Sequence, residues 1–334
     1  MRAAVIGAGS WGTALAWVLA GNGHSVALWA HSAEVAEAIN AEHRNPRYLS
    51  AVELPEAISA TASYGEALAD AEAAVVVTPS SVLREALRAM APHLGPRVPV
   101  ALCSKGVEEG TGLLPAEIAT EELGALERLA VLSGPNHAEE VIKGTPSATV
   151  VAAAEKSTAL LFRDLFATSA FRTYVSADMT GVELCAAFKN VIAIAVGMAY
   201  GVGFGDNTAA VLITRGLAEM SRLVVACGGD TLTCMGLAGA GDMVVTCMSE
   251  HSRNRRFGEQ YVARGLTLED FHEREHMVVE GAVACRNLLT LAERHSIELP
   301  IASVVREVLW SGLGLREAAQ LLEGRPLTTE FHDL

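Results

Sequence analysis

Apolar residues fall into short β-type runs that alternate with helical stretches through the first half of the chain. Ala3–Ile6, Ser25–Trp29, Ala73–Thr78, Val98–Leu102 and Leu129–Leu132 read as strands. Trp11–Ala20, Ala33–Asn40 and a run from about Ser80 to Met90 read as helices. Alternating βα units of this kind predict a mostly parallel sheet wound on both faces. After about Ser176 the pattern changes to long helical runs near 178–202, 207–227, 278–295 and 300–311, with no convincing strand. The expected organisation is an α/β unit over residues 1–177 followed by an all-α unit over 178–334.

The most apolar later stretch, Val191–Phe204, is 14 residues long and is flanked by Lys189 and Asp206. That is short for a membrane span and reads as a buried helix, so no integral membrane segment is expected. Next to it, Asp206 and Asn207 suit a helix N-cap, with Thr208 entering the next helix. A substrate hydroxyl contact is the alternative reading for that run.

A chain of 334 residues has room for about two domains. With 51% hydrophobic residues it can bury a large core. The net charge of −14 argues against nucleic acid or an anionic membrane as partner. A phosphate-bearing ligand would need positive charge concentrated locally. Cys103, Cys185, Cys227, Cys234, Cys247 and Cys285 are spread singly, without C-x-x-C spacing. Neither a zinc site nor a redox motif is indicated, no metal is expected, and reduced thiols in a cytoplasmic protein are the simplest reading. Glycines interrupt the apolar N-terminal run and no cleavage pattern follows it, so no signal peptide is expected.

The first strand runs into Gly7-Ala8-Gly9-Ser10-Trp11-Gly12, a G-x-G-x-x-G between strand and helix. Gly7 permits the tight turn, Gly9 admits a pyrophosphate close to the backbone, and Gly12 lets the helix approach the sheet. The helix N-terminus offers free N–H groups and a positive dipole end to phosphate. A NAD site commonly adds an acid at the end of the second strand, which would repel a 2′-phosphate. Here that region is Leu28-Trp29-Ala30-His31-Ser32, with no carboxylate before Glu34. NADP is therefore the preferred form, with His31 or Ser32 placed to meet the phosphate. That His31 merely opens a loop stays open as the other reading.

Of 25 basic residues only Lys105, Lys143, Lys156 and Lys189 are lysine. Arginine evidently supplies the surface charge, and lysine is the one of the two that can exchange a proton. Lys105 follows the strand Val98–Leu102, at the carboxyl edge where open α/β sheets bind ligands. Lys189 lies in an apolar helical stretch, where an unpaired ammonium is costly and needs a partner or a task. Lys156 reads as ordinary helix surface. In the helical half a glycine-rich turn, Gly236–Gly241, ends at Asp242. Ten residues on, Ser252-Arg253-Asn254-Arg255-Arg256 supplies dense positive charge with the geometry for phosphate oxygens. A helix N-cap for Asp242 and a solvated turn for the arginines are the competing readings.

Together these segments resemble the NAD(P)-dependent glycerol-3-phosphate dehydrogenase family in its bacterial form. The matching stretches are GAGSWGTALA (7–16), NPRYL (45–49), SKG (104–106), SGPNHAEEV (133–141) and KNVIAIAVGMAYGVGFGDNTAA (189–210). GLAGAGDMVVTC (236–247), SRNRRFG (252–258) and VEG (279–281) complete the set in the same order. The resemblance implies a Rossmann-like N-terminal domain, a C-terminal helical domain and a site between them. It implies that Lys189 is the acid/base, with Lys105 and Asp242 beside it. It assigns Gly134, Asn136, Asn190, Ser252, Arg253 and Asn254 to the substrate, together with Lys105, Lys189 and Asp242. It assigns Ser10, Trp11, His31, Ala138, Val278 and Glu280 chiefly to the cofactor, with Lys105 and Arg253 contributing. Asn136-His137 departs from the Ser or Thr followed by Phe of many relatives, which puts side-chain contacts there in doubt. Dihydroxyacetone phosphate and sn-glycerol 3-phosphate are the implied reactant pair, a homodimer the implied assembly and glycerophospholipid synthesis the implied outlet. Another two-domain Rossmann dehydrogenase, of hydroxyacid or opine type, and a non-catalytic NAD(P)-sensing regulator are the rival readings.

Overall fold

The computed structural model describes residues 1–275, 279–326 and 329–330. Eight strands form one sheet: β1 (Arg2–Ile6), β2 (Ser25–Trp29), β3 (Ile58–Thr61), β4 (Ala73–Val76), β5 (Val100–Leu102), β6 (Leu129–Ser133), β7 (Ser147–Ala153) and β8 (Phe171–Ser176). Their spatial order is β3-β2-β1-β4-β5-β6-β7-β8. Strands β1 to β6 are parallel throughout, β7 pairs with β6 antiparallel, and β8 runs parallel to β7. The order reverses direction between β1 and β4, which opens a crevice at the carboxyl edge of the sheet. This is a Rossmann-like N-terminal domain.

Its helices are α1 (Ser10–Gly21), α2 (Ala33–Glu42), α3 (Tyr64–Leu68), α4 (Leu83–Met90), α5 (Pro115–Leu123), α6 (Ala138–Val141) and α7 (Lys156–Phe166). Both faces of the sheet are covered. Ala3, Val5, Val75, Ala101 and Leu132 join one core, while Ala4, Ile6, Val76, Leu102 and Val131 join another. A strand buried on both faces reads as a continuous apolar run, which is why β1, β4 and β6 were legible.

Strands β3, β7 and β8 lie outside the expected set. β3 and β8 are edge strands whose residues alternate or stay exposed, Phe171 being the one fully buried side chain of β8. The β6–β7 pairing is the antiparallel one among the described strands, in a sheet that is mostly parallel as expected. Short helices α3, α5 and α6 were likewise unanticipated, α7 bears out the helix-surface reading of Lys156, and the run from Ser80 begins as a single 3-10 turn before α4.

The helical C-terminal domain comprises α8 (Met179–Val202), α9 (Asp206–Ala226), α10 (Thr231–Met235), α11 (Asp242–Met248), α12 (Arg253–Arg264), α13 (Leu268–Glu275), α14 (Glu280–Arg294), α15 (Pro300–Trp310) and α16 (Leu315–Glu323). One turn of π-helix, Leu237–Gly241, leads into α11. Helix α8 has 24 residues, long and apolar enough to cross a membrane, yet 94% of its apolar window is buried inside the protein. Asp178 caps its N-terminus by accepting from the Gly181 amide at 2.8 Å. Its apolar residues, Leu184, Phe188, Val191 and Ile194 among them, share the core that contains Val76 and Leu102 of the sheet. Helix α8 is thus packed continuously onto the sheet. Glu183 strengthens that junction: its buried carboxyl accepts from the Ala116 amide at the start of α5, 2.8 Å away.

Helix α9 begins one residue earlier than expected. Gly205 occupies the N-cap position, and Asp206 lies in the first turn with its carboxylate accepting from the Tyr200 hydroxyl at 3.0 Å. The six cysteines are all free, but Cys185 and Cys234 meet in space, with 3.9 Å between their sulfurs.

Helices α8 and α12 approach so closely that glycine is required at their seam. A Cβ on Gly197 would lie 2.0 Å from the Arg255 carbonyl oxygen, and one on Gly258 would lie 2.2 Å from that of Ile194. Both neighbours are backbone and cannot step aside, unlike the rotatable side chains of an ordinary core. Gly258→Ala is therefore expected to lower the unfolding free energy by about 3 kcal/mol, at the upper end for overpacking. Urea denaturation measures it; an unchanged midpoint would refute the backbone seam.

Candidate active site

The glycine loop after β1 has the geometry its sequence demands. Gly7 adopts φ +124°, and its amide donates to the Trp29 carbonyl at 3.1 Å. A Cβ on Gly12 would sit 1.8 Å from the Gly7 carbonyl oxygen, so α1 can approach the loop only with glycine there. A Cβ on Gly9 would meet nothing within 4 Å. Gly9 is the N-cap of α1 and no side chain caps the helix, so its first amides face an open mouth. Ser10 and Trp11 form the first turn, and Trp11 packs edge-on against Phe171 at 6.3 Å. The arrangement fits a pyrophosphate at a helix N-terminus.

Asn45 fastens this loop, a task not anticipated from NPRYL. Its buried amide donates to the Ala8 carbonyl and the Thr13 hydroxyl, both at 2.9 Å. Its oxygen accepts from the amides of Arg47 and Tyr48. At the end of β2, Trp29 stacks on Tyr64 with 4.4 Å between ring centroids, and the exposed His31 stands edge-on to Trp29 at 6.2 Å. The strand end is lined by rings; no carboxylate intervenes in the chain before Glu34, while Glu66 stands nearby, accepting from the hydroxyl of Thr61, the register partner of Trp29.

Three charged side chains converge where the two domains meet. Lys189 donates from Nζ to Asp242 Oδ1 at 2.6 Å and to Thr246 Oγ1 at 2.8 Å. Lys105 donates to the other carboxylate oxygen, Oδ2, at 2.9 Å. The Ser133 hydroxyl stands 3.4 Å from the same oxygen. Lys105 comes from the carboxyl end of β5, Ser133 from that of β6, Lys189 from the middle of α8, and Asp242 from the first residue of α11. The π-turn aims Asp242 inward instead of leaving it as a cap; Gly241 occupies the cap position. Thr246 follows Asp242 by one helical turn and its hydroxyl lies 3.2 Å from the carboxylate. Thr246 and Ser133 both lay within quoted segments, yet carried no charge signal.

The electrostatics separate the two lysines. Burial drives the Lys189 amine toward its neutral form; Asp242 resists, Lys105 adds repulsion, and the amine is pulled down to about 8. Lys105 also suffers from burial, but attraction from Asp242 and Glu280 holds it above the ordinary lysine value. Burial would raise the Asp242 carboxyl, and the two ammonium groups hold it below the usual range. One lysine is thus poised to exchange a proton near neutrality and the other stays charged.

A second polar unit adjoins the first. Asn254 donates to Asn190 Oδ1 at 3.0 Å and accepts from the Gly281 amide at 2.9 Å. A Cβ on Gly281 would lie 2.4 Å from the Asn190 carbonyl oxygen, so α14 is drawn tightly onto α8 here. Gly281 is the positioning residue missed within VEG. Ser252 caps α12 by accepting from the Arg255 amide at 3.3 Å. The basic cluster then divides. Arg255 lies over the Tyr200 ring at 5.0 Å and 3.7 Å from Glu259, whereas Arg253 is exposed in the first turn of α12 with no hydrogen-bond partner among the described residues.

The remaining candidates flank these units. Gly134 packs on β7, where a Cβ would approach the Thr149 Cα to 2.9 Å. Asn136 donates to the Ala148 carbonyl at 2.8 Å, leaving its own buried Oδ1 without a partner. Ala138 is buried at the start of α6, and Glu280 is half-buried at the start of α14. Val278 lies outside the described residues. Lys143 and Lys156 are exposed and apart from the site.

Residues 2–159 match the N-terminus of NAD-dependent glycerol-3-phosphate dehydrogenase, and residues 178–320 match its C-terminus. The chain belongs to this dehydrogenase family. It is 46% identical to glycerol-3-phosphate dehydrogenase [NAD(P)+] of Streptomyces griseus subsp. griseus, over 93% of either chain. It is 44% identical to the enzyme of that name from Geobacillus thermodenitrificans, over 99% of this chain and 96% of the relative. The crystal structure of glycerol-3-phosphate dehydrogenase from Coxiella burnetii superposes with a TM-score of 0.93 at 37% identity, covering 97% of this chain and 99% of that one.

Asp242→Asn is expected to lower the unfolding free energy by about 3 kcal/mol at neutral pH, since it leaves two ammonium groups facing each other unneutralised. The deficit should shrink as pH rises through the Lys189 titration, because a neutral amine no longer needs the carboxylate. Urea denaturation of both proteins at pH 7 and 9 tests this; an equal deficit at the two values would count against the shared carboxylate.

Proposed function

We propose that the chain reduces dihydroxyacetone phosphate to sn-glycerol 3-phosphate, reversibly, with NAD(P)H. The observation that carries this reading is the Asp242 carboxylate shared between buried Lys189 and partly buried Lys105, the latter just past the carboxyl end of β5. Residues 1–177 serve as the dinucleotide-binding unit and 178–334 as the substrate unit. Gly7, Gly9, Ser10, Trp11 and Gly12 hold the pyrophosphate side of the cofactor, and Ala138, Glu280, Lys105 and Arg253 also serve it, as does Val278 by family resemblance. The reduced nicotinamide, when bound, supplies the hydride for C2.

Lys189 in its ammonium form hydrogen-bonds the substrate C2 oxygen, stabilises charge developing there and donates the proton. In the oxidative direction its neutral amine takes that proton back. Lys105 remains cationic and adds to the stabilisation. Asp242 orients both lysines and moderates the fall in the Lys189 pKa. Arg253, Asn254 and the N-terminus of α12, capped by Ser252, bind the phosphate; that binding energy holds the carbonyl in position. Asn190 fixes Asn254, and Asn136 Oδ1 and Gly134 line the triose.

His31 and the absence of an acid after β2 support a preference for NADP. The assembly is proposed to be a homodimer working in the cytoplasm, with its product supplying glycerophospholipid synthesis. A hydroxyacid or opine dehydrogenase would accept carboxylate substrates, which competition experiments distinguish. A regulator that senses NAD(P) needs only the glycine loop and leaves the buried lysine–aspartate–lysine arrangement unexplained.

The direct test follows reduced-nicotinamide absorbance with dihydroxyacetone phosphate and NADPH, then NADH. Oxidation with neither, despite cofactor binding, would overturn the activity; faster oxidation of NADH would overturn the NADP preference. Lys189→Met should lower turnover by at least about 100-fold, the low end for general acid catalysis, while cofactor binding persists. Reduction requires protonated Lys189 and should decline as pH rises through about 8, while oxidation of glycerol phosphate gains over the same interval. Profiles without this opposition would remove Lys189 as the proton donor.

A further inference from the structure

His137 stands between the two ends of the site and has no role in the scheme above. It follows Asn136 at the N-cap position of α6. Lys189 and Asp242 are close enough to act on its titration from one side, with Glu139 and Glu140 on its own helix. On the other side its ring meets that of His251 edge-on, 5.9 Å between centroids at 63°. His251 is exposed and immediately precedes Ser252, Arg253 and Asn254. The imidazole therefore lies between the Lys189–Asp242 pair and the segment that leads into Arg253.

His137 Nε2 is buried and has no hydrogen-bond partner, although the residue as a whole is only half-buried. A polar nitrogen withdrawn from water without a partner carries a desolvation cost that a ligand atom can relieve. Burial, and then the Lys189 ammonium, hold the ring below the ordinary histidine pKa, so it is neutral at pH 7. A neutral imidazole offers one N–H donor without adding a third cation beside the two lysines. A phosphate oxygen is the acceptor that suits it, because Arg253 already draws that group to this side.

We infer that His137 is a specificity-determining residue, donating a neutral hydrogen bond to the substrate phosphate, with His251 holding its ring in place. The inference rests on the proposed reading of the anion site, and the experiment keeps the two apart. Wild-type activity on dihydroxyacetone phosphate tests that reading. His137→Phe, in an enzyme whose wild type is active, tests the inference.

His137→Phe retains an aromatic ring and loses both nitrogens. A hydrogen bond to a charged group corresponds to about a 10-fold change or more. The KM for dihydroxyacetone phosphate and the inhibition constant for inorganic phosphate should both rise by about that factor, with kcat within about threefold. Unphosphorylated dihydroxyacetone should be used as well as before. His137→Gln restores an N–H and should recover most of the affinity, which separates a lost donor from a disturbed fold. An unchanged KM and phosphate inhibition constant in His137→Phe would overturn the assignment. So would an equal loss with both substrates, or a fall in kcat alone, or no recovery in a folded His137→Gln protein.

Discussion

One carboxylate is shared between two ammonium groups, one buried and one partly buried, and most of the architecture can be understood as the means of holding it there. Asp242 is 2% exposed and its two oxygens go to different lysines from different domains. Remove the sheet and Lys105 is lost; remove α8 and Lys189 is lost. The ion triplet is therefore a structural joint as well as a chemical device. Its desolvation cost is large in isolation, and it persists because each of its three charged groups is paired within it, with Thr246 and Ser133 adding hydroxyl contacts.

The joint needs rigid supports on both sides. On the nucleotide side, β5 and β6 end at the crevice and deliver Lys105 and Ser133 from fully buried strands. On the helical side, α8 carries Lys189 and Asn190 along a face packed into the same core as the sheet. The π-turn before α11 rotates Asp242 away from a capping role and toward Lys189. A helix that began one residue differently would cap itself with the carboxylate and leave two cations unpaired.

The sequence pattern conveyed the parts of this that are regular or chemically rare. Strands β1, β2, β4, β5 and β6 are apolar runs between turn residues, and α8 and α9 are long. The glycine loop announced itself by spacing, and Lys105 and Lys189, which meet at Asp242, by the scarcity of lysine among 25 basic residues. What escaped notice had no local signature. Edge strands β3 and β8 lack a continuous apolar run, and the reversal of β7 depends on tertiary pairing. Asn45, Thr246 and Gly281 are ordinary residue types whose importance comes from what they touch across long sequence separations. Asp206 illustrates the opposite error: its type suited a cap, but Gly205 took that position and Tyr200 claimed the carboxylate.

The glycine seam between α8 and α12 sets how far apart Lys189 and the start of α12 lie. Main chain meets main chain at Gly197 and Gly258, with no side chain between whose volume could be exchanged. Cores built of side chains drift as leucines, valines and methionines replace one another, and the distances across them drift too. Here the spine of the cleft is a calliper with a locked jaw: substitutions in its lining leave the length it measures constant.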